Sequence, residues 1–265
     1  MGAQSSFDTL LEEADALPIA GWDFSVLGDR IAIAALPWDF DEIVASHARM
    51  APDRLDIGTG GGEWLARLRA RPARTVATEG WPPNVEVAAR RLRPLGVTVV
   101  VTEPAPDNVD QVAHESRGQL PFPSESFALV TSRHEAFVAR EVSRVLVPDG
   151  IFLTQQVGGD YRDFYDALEL PRPPVPQRRW NLSLAEEQLA GAGLRLVDSG
   201  EAMEAVSFSD VGALASYLKM IPWTVENFSI RTHRLQLERL HQRISTDGPL
   251  TVRLPAFWLK AVKSS

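Results

Sequence analysis

The stretch Arg54-Leu-Asp-Ile-Gly-Thr-Gly-Gly-Gly-Glu63 decides the fold. A short apolar strand, Arg54 to Ile57, runs into a glycine-rich turn, and a helix is predicted from Trp64 to Arg71. Glycine lets backbone N–H groups approach a bound molecule closely and tolerates positive φ. A helix that begins just after the turn offers free N–H groups and the positive end of its dipole. Such a turn suits a ligand that carries a ribose together with a carboxylate or phosphate. Alone it is a weak signal, because any tight βα connection reads this way. The next strand sharpens it. Thr75 to Thr78 ends in Glu79, about twenty residues beyond Gly58, the spacing at which an acid at the second strand tip meets ribose hydroxyls.

Two cofactors fit this pattern, a nicotinamide dinucleotide and S-adenosylmethionine. The dinucleotide signature G-x-G-x-x-G/A would put Glu63 at its third glycine, where close helix–strand packing needs a small residue. An acid there is also a poor neighbour for a pyrophosphate. Asp56 at the strand end is unusual for a dinucleotide site too. It suits a bond from the turn N–H groups or the attraction of a cationic amino-acid group. Both departures favour S-adenosylmethionine.

The motifs then line up with a known family. Leu55-Asp-Ile-Gly-Thr-Gly-Gly-Gly62 resembles the first motif of class I S-adenosylmethionine-dependent methyltransferases, and Glu79 resembles their ribose-binding acid. Leu120-Pro-Phe-Pro-Ser-Glu-Ser-Phe-Ala-Leu-Val130 resembles the segment leading into their fourth strand. Glu141-Val-Ser-Arg-Val-Leu-Val-Pro-Asp-Gly150 resembles the helix and turn that follow. Ala128 stands where the family often has Asp, and the segment between the third strand and Leu120 is long. The resemblance implies an α/β, Rossmann-like, doubly wound and mostly parallel seven-stranded sheet. It adds an antiparallel C-terminal strand, an N-terminal helical part and late helical insertions. One domain over 1–265 is expected: a helical lid (1–50), a cofactor-binding core (51–160) and a C-terminal part (161–265) with a substrate-side insertion.

Bulk properties agree with a soluble enzyme. A chain of 265 residues can bury a large core. The net charge of −8 argues against a nucleic-acid partner. The arginines between Arg67 and Arg74 and between Arg90 and Arg93 read as solvated helix faces. The absence of cysteine excludes disulfides, thiolate zinc sites and thiol catalysis. No apolar run reaches the length of a membrane span, and Met1 to Asp8 lacks the pattern of a secretory signal, so a cytoplasmic location is expected. Oligomeric state, monomer or homodimer, is left open, and no metal site is expected.

Along the chain, helices are predicted at Phe7–Leu17 and Phe40–Met50, with Trp22, Phe24, Trp38 and Phe40 clustered around the second. Alternation follows through strand Thr75–Thr78, helix Val85–Leu92, strand Val97–Thr102, strand Ala128–Ser132, helix Val138–Val145 and strand Gly150–Gln156. The strands Val97–Thr102 and Gly150–Gln156 are nearly continuous apolar runs, as expected when helices cover both faces. Pro148-Asp149-Gly150 reads as a turn. Beyond Gly158, Asp160–Leu170 reads as a helix and Pro171–Pro176 as a stiff extended loop. Ser183 and Glu186 form a capping box for a helix that Gly193 ends. Leu194–Phe208 is a long strand with a kink at Ser199-Gly200. Ser209-Asp210 caps a helix over Val211–Met220, Ile230–Ile244 is another helix, and Leu250–Val262 is the last strand.

Ligands of open parallel sheets bind at the carboxyl ends of the strands. There the candidates for cofactor binding are Asp56, Gly58, Thr59, Gly60, Glu79, Gly80, Arg133 and His134. Trp81, with Pro82, follows Glu79 where the resemblance puts the adenine ring, and an aromatic there suits stacking. Asp107 and Asn108 are candidates for the adenine amino group, with Glu115 as their rival. Trp38 is a candidate lid over the cofactor, with core packing the competing account. His134 has the pKa for a general base, and Glu135 can orient it or take a proton itself. Against this, His134 contacts the cofactor or caps a helix, and Glu135 serves as a helix N-terminal acid. Gln155 and Gln156 point to opposite faces, so only one lines the pocket. Tyr217, Trp223 and Phe228 wall a substrate pocket or fill the core, and Arg178-Arg179 beside Trp180 bind a substrate anion or lie solvated.

The function expected is methyl transfer from S-adenosylmethionine, leaving S-adenosylhomocysteine, to the oxygen or nitrogen of a small molecule, with carbon less favoured. The rivals are a nicotinamide-linked oxidoreductase, a non-catalytic binding or regulatory protein on the same fold, and an RNA methyltransferase. No membrane partner is expected.

Overall fold

The structure is a computed structural model that describes residues 6–18, 24–109, 118–174 and 179–264. In chain order the elements are α1 (Phe7–Ala16), a 3-10 segment (Phe24–Arg30), β1 (Ile31–Ile33), α2 (Phe40–Ala48), β2 (Asp53–Ile57) and α3 (Glu63–Arg67). Next come β3 (Arg74–Glu79), α4 (Pro82–Leu92), β4 (Thr98–Val101), β5 (Phe127–Arg133), α5 (Ala139–Val145) and β6 (Leu146–Val157). The remainder is α6 (Arg162–Ala167), α7 (Leu182–Gly191), β7 (Leu194–Phe208), α8 (Val211–Met220), α9 (Arg234–Asp247) and β8 (Leu250–Lys263). No described helix is long and apolar enough to cross a membrane.

The chain divides into two compact units. One comprises Leu36–Gly159, Gln177–Ala202 and Pro255–Ser265, and the other Met1–Ala35, Asp160–Pro176 and Met203–Leu254. Strands β7 and β8 contribute a part to each. The expected lid is split by this division, with Trp38 and α2 in the first unit and α1 in the second.

The first unit holds the sheet core in the order β7-β8-β6-β5-β2-β3-β4. Strands β6, β5, β2, β3 and β4 run parallel, and β8 pairs antiparallel with β6 from Ile151↔Val262 to Val157↔Ala256. The sheet starts at β2 and winds outward both ways, so β2 and β5 flank its switch point, the place where ligands of open α/β sheets bind. Successive strand residues alternate faces. Leu55, Val130 and Phe152 pack on one side with Phe137 and Val142 near α5 and Leu184 and Leu189 of α7. Leu129, Ala77 and Leu153 pack on the other with Phe40, Val44, Trp64 and Leu92 of α2, α3 and α4.

Two of the sequence motifs are physically joined. Glu141 Oε2 accepts the Leu120 N–H at 2.9 Å, and Arg144 donates to the Leu120 and Phe122 carbonyls at 2.8 and 2.7 Å. Arg144 also grips Glu141 at 2.7 and 2.9 Å. Burial pushes the Glu141 pKa upward, but the bonds from Arg144 and Leu120 outweigh it and hold the carboxyl below its ordinary value. Ala128, the departure from the family pattern, gives its N–H to Asp53 at 2.7 Å, and Asp53 is also reached by Arg74 at 2.9 Å.

In the second unit α8 is almost wholly buried, with Asp210 as its N-cap, accepting the Ala213 N–H at 2.9 Å. Arg30 holds the same carboxylate with two bonds of 2.6 and 2.7 Å. Phe24, Phe164 and Phe208 surround Tyr217 at 4.8–5.8 Å between ring centres. Tyr217 is therefore core, Trp223 is exposed and Phe228 lies against His233 at 5.2 Å. β1 pairs antiparallel with the distal end of β7, Ile31↔Phe208.

Several expectations change. Strand β1 is an eighth strand beyond the seven expected, and it and the preceding 3-10 turn carry no pattern in sequence. Phe24 and Phe40 belong to different aromatic groups, since Phe40 stacks on Trp64 at 5.8 Å; Trp22 lies outside the described residues. Strand β4 is a sheet edge with Val101 62% exposed, so its apolar run is not covered on both faces. Pro148-Asp149-Gly150 does not separate helix from strand. It lies inside β6 as an irregularity, because pairing jumps from Phe127↔Leu146 to Leu129↔Ile151, with Asp149 at φ 60°. Asn181, not Ser183, caps α7, accepting the Leu184 N–H at 2.9 Å.

Glu141→Ala leaves the Leu120 N–H and the Arg144 guanidinium without their acceptor. A loss of about 1–3 kcal/mol is expected in urea unfolding; a midpoint equal to wild type would show that the clasp contributes nothing.

Candidate active site

Strand β2 ends at Ile57, and the next residues cannot continue it. Gly58, Gly60 and Gly62 have φ of 64°, 61° and 80°. The turn is held from within the sheet, with Gly58 N–H bonded to Thr78 Oγ1 at 3.2 Å and Thr59 N–H to the Thr78 carbonyl at 2.8 Å. A Cβ on Gly62 would lie 2.8 Å from Leu92, so the close packing against α4 falls on Gly62. Glu63 does not occupy that position. It is exposed and paired with Arg91, so the argument that it blocks a dinucleotide signature loses its packing basis. Helix α3 spans only Glu63–Arg67, ended by Arg71, which donates to three carbonyls of its last turn.

Glu79 lies buried at the tip of β3. Its carboxylate accepts the Trp81 N–H at 2.7 Å. Burial raises its pKa, and the backbone N–H groups of Trp81, Gly60 and Gly80 oppose the rise.

Asp56 finds its cation inside the protein. Its Oδ1 accepts Arg54 Nη2 at 3.2 Å and Thr131 Oγ1 at 2.7 Å. Arg54 also donates from Nε to Thr131 at 2.9 Å and lies over the Trp64 ring at 5.1 Å. Arg54 has no exposed surface, and burial lowers its pKa against the pull of Asp56. Arg54 Nη1, Asp56 Oδ2 and Thr59 Oγ1 are buried without a partner among the described residues. Sequence reasoning missed Arg54. The signal was there, since a charge two residues before Asp56 in a buried strand shares its face.

After β5, His134 adopts φ 58° and its N–H bonds the Gln155 carbonyl at 2.8 Å. Gln155 donates from Nε2 toward His134 Nε2 at 3.1 Å, and its Oε1 accepts the Trp38 indole N–H at 2.9 Å. His134 is exposed as a residue, yet the protein packed around its ring and the charge of Arg133 lower its pKa to about 3, so it is neutral near pH 7. Gln156 points the other way and donates to the Glu135 carbonyl at 3.0 Å, as strand alternation requires. Arg133 lies 5.9 Å from the Trp64 ring centre.

Glu135 presses on the turn: a Cβ on Gly58 would lie 2.0 Å from Glu135 Cγ. Burial, then repulsion from Glu79, pushes the Glu135 pKa up to about 7. Beside Glu135 lies a cavity of about 20 Å³, bordered by Gly58, Thr78, Gly80, Glu103, Pro104 and Leu120; Glu79 is not on its wall. That is room for roughly one water, because the Glu135 side chain fills the space beside Gly58. Trp81, Asp107 and Asn108 are not on its wall. Trp81 is the N-cap of α4, with Pro82 at the first helical position. Asp107 accepts the Val109 N–H at 2.8 Å, and Asn108 accepts the Phe137 N–H at 3.1 Å. Glu115 and Arg178 lie outside the described residues. Trp180 is buried between Phe137 and Phe257 at 5.8 and 5.6 Å.

A doubly wound sheet with a glycine turn, a buried acid at the tip of β3 and the loop after β5 gathered at its switch point defines a Rossmann-like fold. Residues 55–154 match the methyltransferase domain family. That segment, which spans the glycine turn, Glu79 and the strands through β6, is similar to the methyltransferase domain family. The fold is shared with YcgJ of Bacillus subtilis (19% identity, 85% of this chain and 98% of that chain covered, TM-score 0.58). It is shared also with a protein of Bacillus halodurans provisionally named a methyltransferase (21%, 86% and 99%, TM-score 0.55). A Deinococcus radiodurans protein of unknown function is similar as well (18%, 97% and 99%, TM-score 0.51). A search of curated proteins finds no match.

The residues present fit S-adenosylmethionine in kind: a buried acid anchored at the tip of β3, a turn free of side chains at Gly60, and unpartnered polar atoms at Asp56 and Thr59.

The raised Glu135 pKa has a definite sign in stability. Between the unfolded value near 4.5 and the folded value of about 7, the unfolded chain has lost the proton and the native state keeps it. Glu135 therefore costs stability progressively as pH rises through this window. Glu135→Gln should raise the Tm relative to wild type more at pH 8 than at pH 5; an equal shift at both pH values would remove the buried acid from this account.

Proposed function

We propose that the protein transfers the methyl group of S-adenosylmethionine to an oxygen or nitrogen of a small-molecule acceptor. The observation that carries this reading is the buried Glu79 carboxylate at the tip of β3, held by the Trp81 N–H at 2.7 Å beside the Gly58–Gly62 turn. In it, Glu79 holds the ribose hydroxyls, and Gly58, Thr59 and Gly60 admit the cofactor by offering backbone where side chains would intrude. Asp56 keeps its free Oδ2 for the amino-acid end. Pro104, Ala105 and Leu120 offer an apolar surface to the adenine, in place of Trp81, Asp107 and Asn108. The bound sulfonium supplies an electrophilic methyl group. The protein's part is chiefly to position the acceptor in line with it. Glu135, with its pKa near neutrality, is the better placed of the two candidate residues to take a proton, since His134 already accepts from Gln155. The net charge of −8 favours a small molecule over RNA.

A second reading draws on the same cavity. Glu135 occupies the space beside Gly58, as it would in a protein that keeps the fold without the cofactor. Calorimetry separates the two. Micromolar binding of S-adenosylmethionine and S-adenosylhomocysteine supports the enzyme, and loss of binding in Gly60→Ala, whose added methyl meets no atom of the described residues within 4 Å, with an unchanged circular dichroism spectrum, locates it at the turn. No binding by the folded wild-type protein, or tight binding of NADH instead, would overturn the reading.

A further inference from the structure

The hydrogen-bond chain from Trp38 through Gln155 to His134 fixes more than distances. An indole N–H can only donate. The Gln155 atom 2.9 Å from Trp38 Nε1 must therefore be the amide oxygen, whichever way the amide is drawn. The amide nitrogen is then the atom 3.1 Å from His134 Nε2, and it too can only donate. His134 Nε2 must accept, so the proton of the neutral ring sits on Nδ1. A positively charged ring would set two donors face to face at 3.1 Å. The backbone reinforces the arrangement, because the His134 N–H bonds the Gln155 carbonyl at 2.8 Å and φ is held at 58°. Among the described residues, Nδ1 has no protein acceptor, and His134 is exposed as a residue.

We propose that Gln155 is a positioning residue that locks His134 in the neutral Nδ1–H tautomer and makes its free nitrogen a hydrogen-bond donor. This rests on the methyltransferase reading for its meaning: His134 holds a lone pair of the acceptor molecule and does not take its proton. An acceptor with an oxygen at or beside the methylated centre, such as a carboxylate, phenol or enol, matches that donor. Trp38 is then the far end of the device, since its indole decides which way the amide faces.

The test needs neither cofactor nor substrate, so it stands apart from S-adenosylmethionine binding. Long-range proton–nitrogen NMR of the full-length protein with labelled histidine reports which ring nitrogen carries the proton. The His134 signals are assigned among the five histidines by their loss in His134→Asn. Wild type should show a protonated Nδ1 and a bare Nε2 at pH 7. Gln155→Glu keeps an acceptor for Trp38 but presents only oxygens to the imidazole. Its Nε2 resonance should move into the protonated range. Trp38→Phe frees the amide to turn and should give a mixture of both tautomers. A protonated Nε2 in wild type, or a bare Nε2 retained in Gln155→Glu, would overturn the proposal. The wild-type spectrum decides it even if a variant fails to fold.

Discussion

The site depends on one steric constraint: beyond Ile57 the chain must turn through left-handed backbone with no side chain between it and Glu135. A Cβ on Gly58 has nowhere to go, and φ of 64° disfavours one in any case. The turn is thereby free to send its N–H groups sideways, to Thr78 and toward the carboxylate of Glu79. The tips of β2 and β3 become one rigid piece, and β5 delivers His134 and Glu135 against it. The Glu141–Arg144 clasp on Leu120 and Phe122 keeps the entry to β5 in place. Each motif that resembles the methyltransferase family has a mechanical task in this arrangement.

Beneath the turn lies its costly part. Arg54 and Asp56 put a charged pair in the dry interior, with one nitrogen and one oxygen unsatisfied. Such pairs seldom add stability over apolar packing, because desolvation consumes the attraction. Their retention under a cofactor-type turn is consistent with a demand other than stability. Thr131 completes the group by donating to Asp56 while accepting from Arg54, which ties β2 to β5 across the switch point.

Much of this was legible in the sequence, and the gaps have physical causes. Strand β7 and helix α8 were readable to the residue, because Gly193 and Asp210 punctuate strong periodic patterns. The glycine turn, Glu79 and the loop after β5 were readable because backbone conformation and strand-tip spacing leave local marks. What stayed hidden depends on partners far along the chain. Nothing near Val97–Thr102 says that β4 is an edge, nor does Pro148-Asp149-Gly150 reveal that β5 will bridge it. The bond from the Phe137 N–H to Asn108 joins residues that only folding brings near. His134 reads as a candidate base by residue type; the Gln155 amide that faces it at 3.1 Å comes from the neighbouring strand and leaves no mark near His134 in the chain.

The position of β8 has a consequence for how the molecule assembles. It lies between β6 and β7, so β7 has no neighbour in the sheet core until β8 is in place. The β6–β8 ladder joins residues roughly a hundred positions apart, and loops of that length close late and slowly. Within the parallel part, β2 and β3 pair across short connections, but β2 reaches β5 only across a long one, as Arg54↔Leu129. While β8 is unpaired, the outer edge of β6 is open backbone that a chaperone, or another chain, can reach.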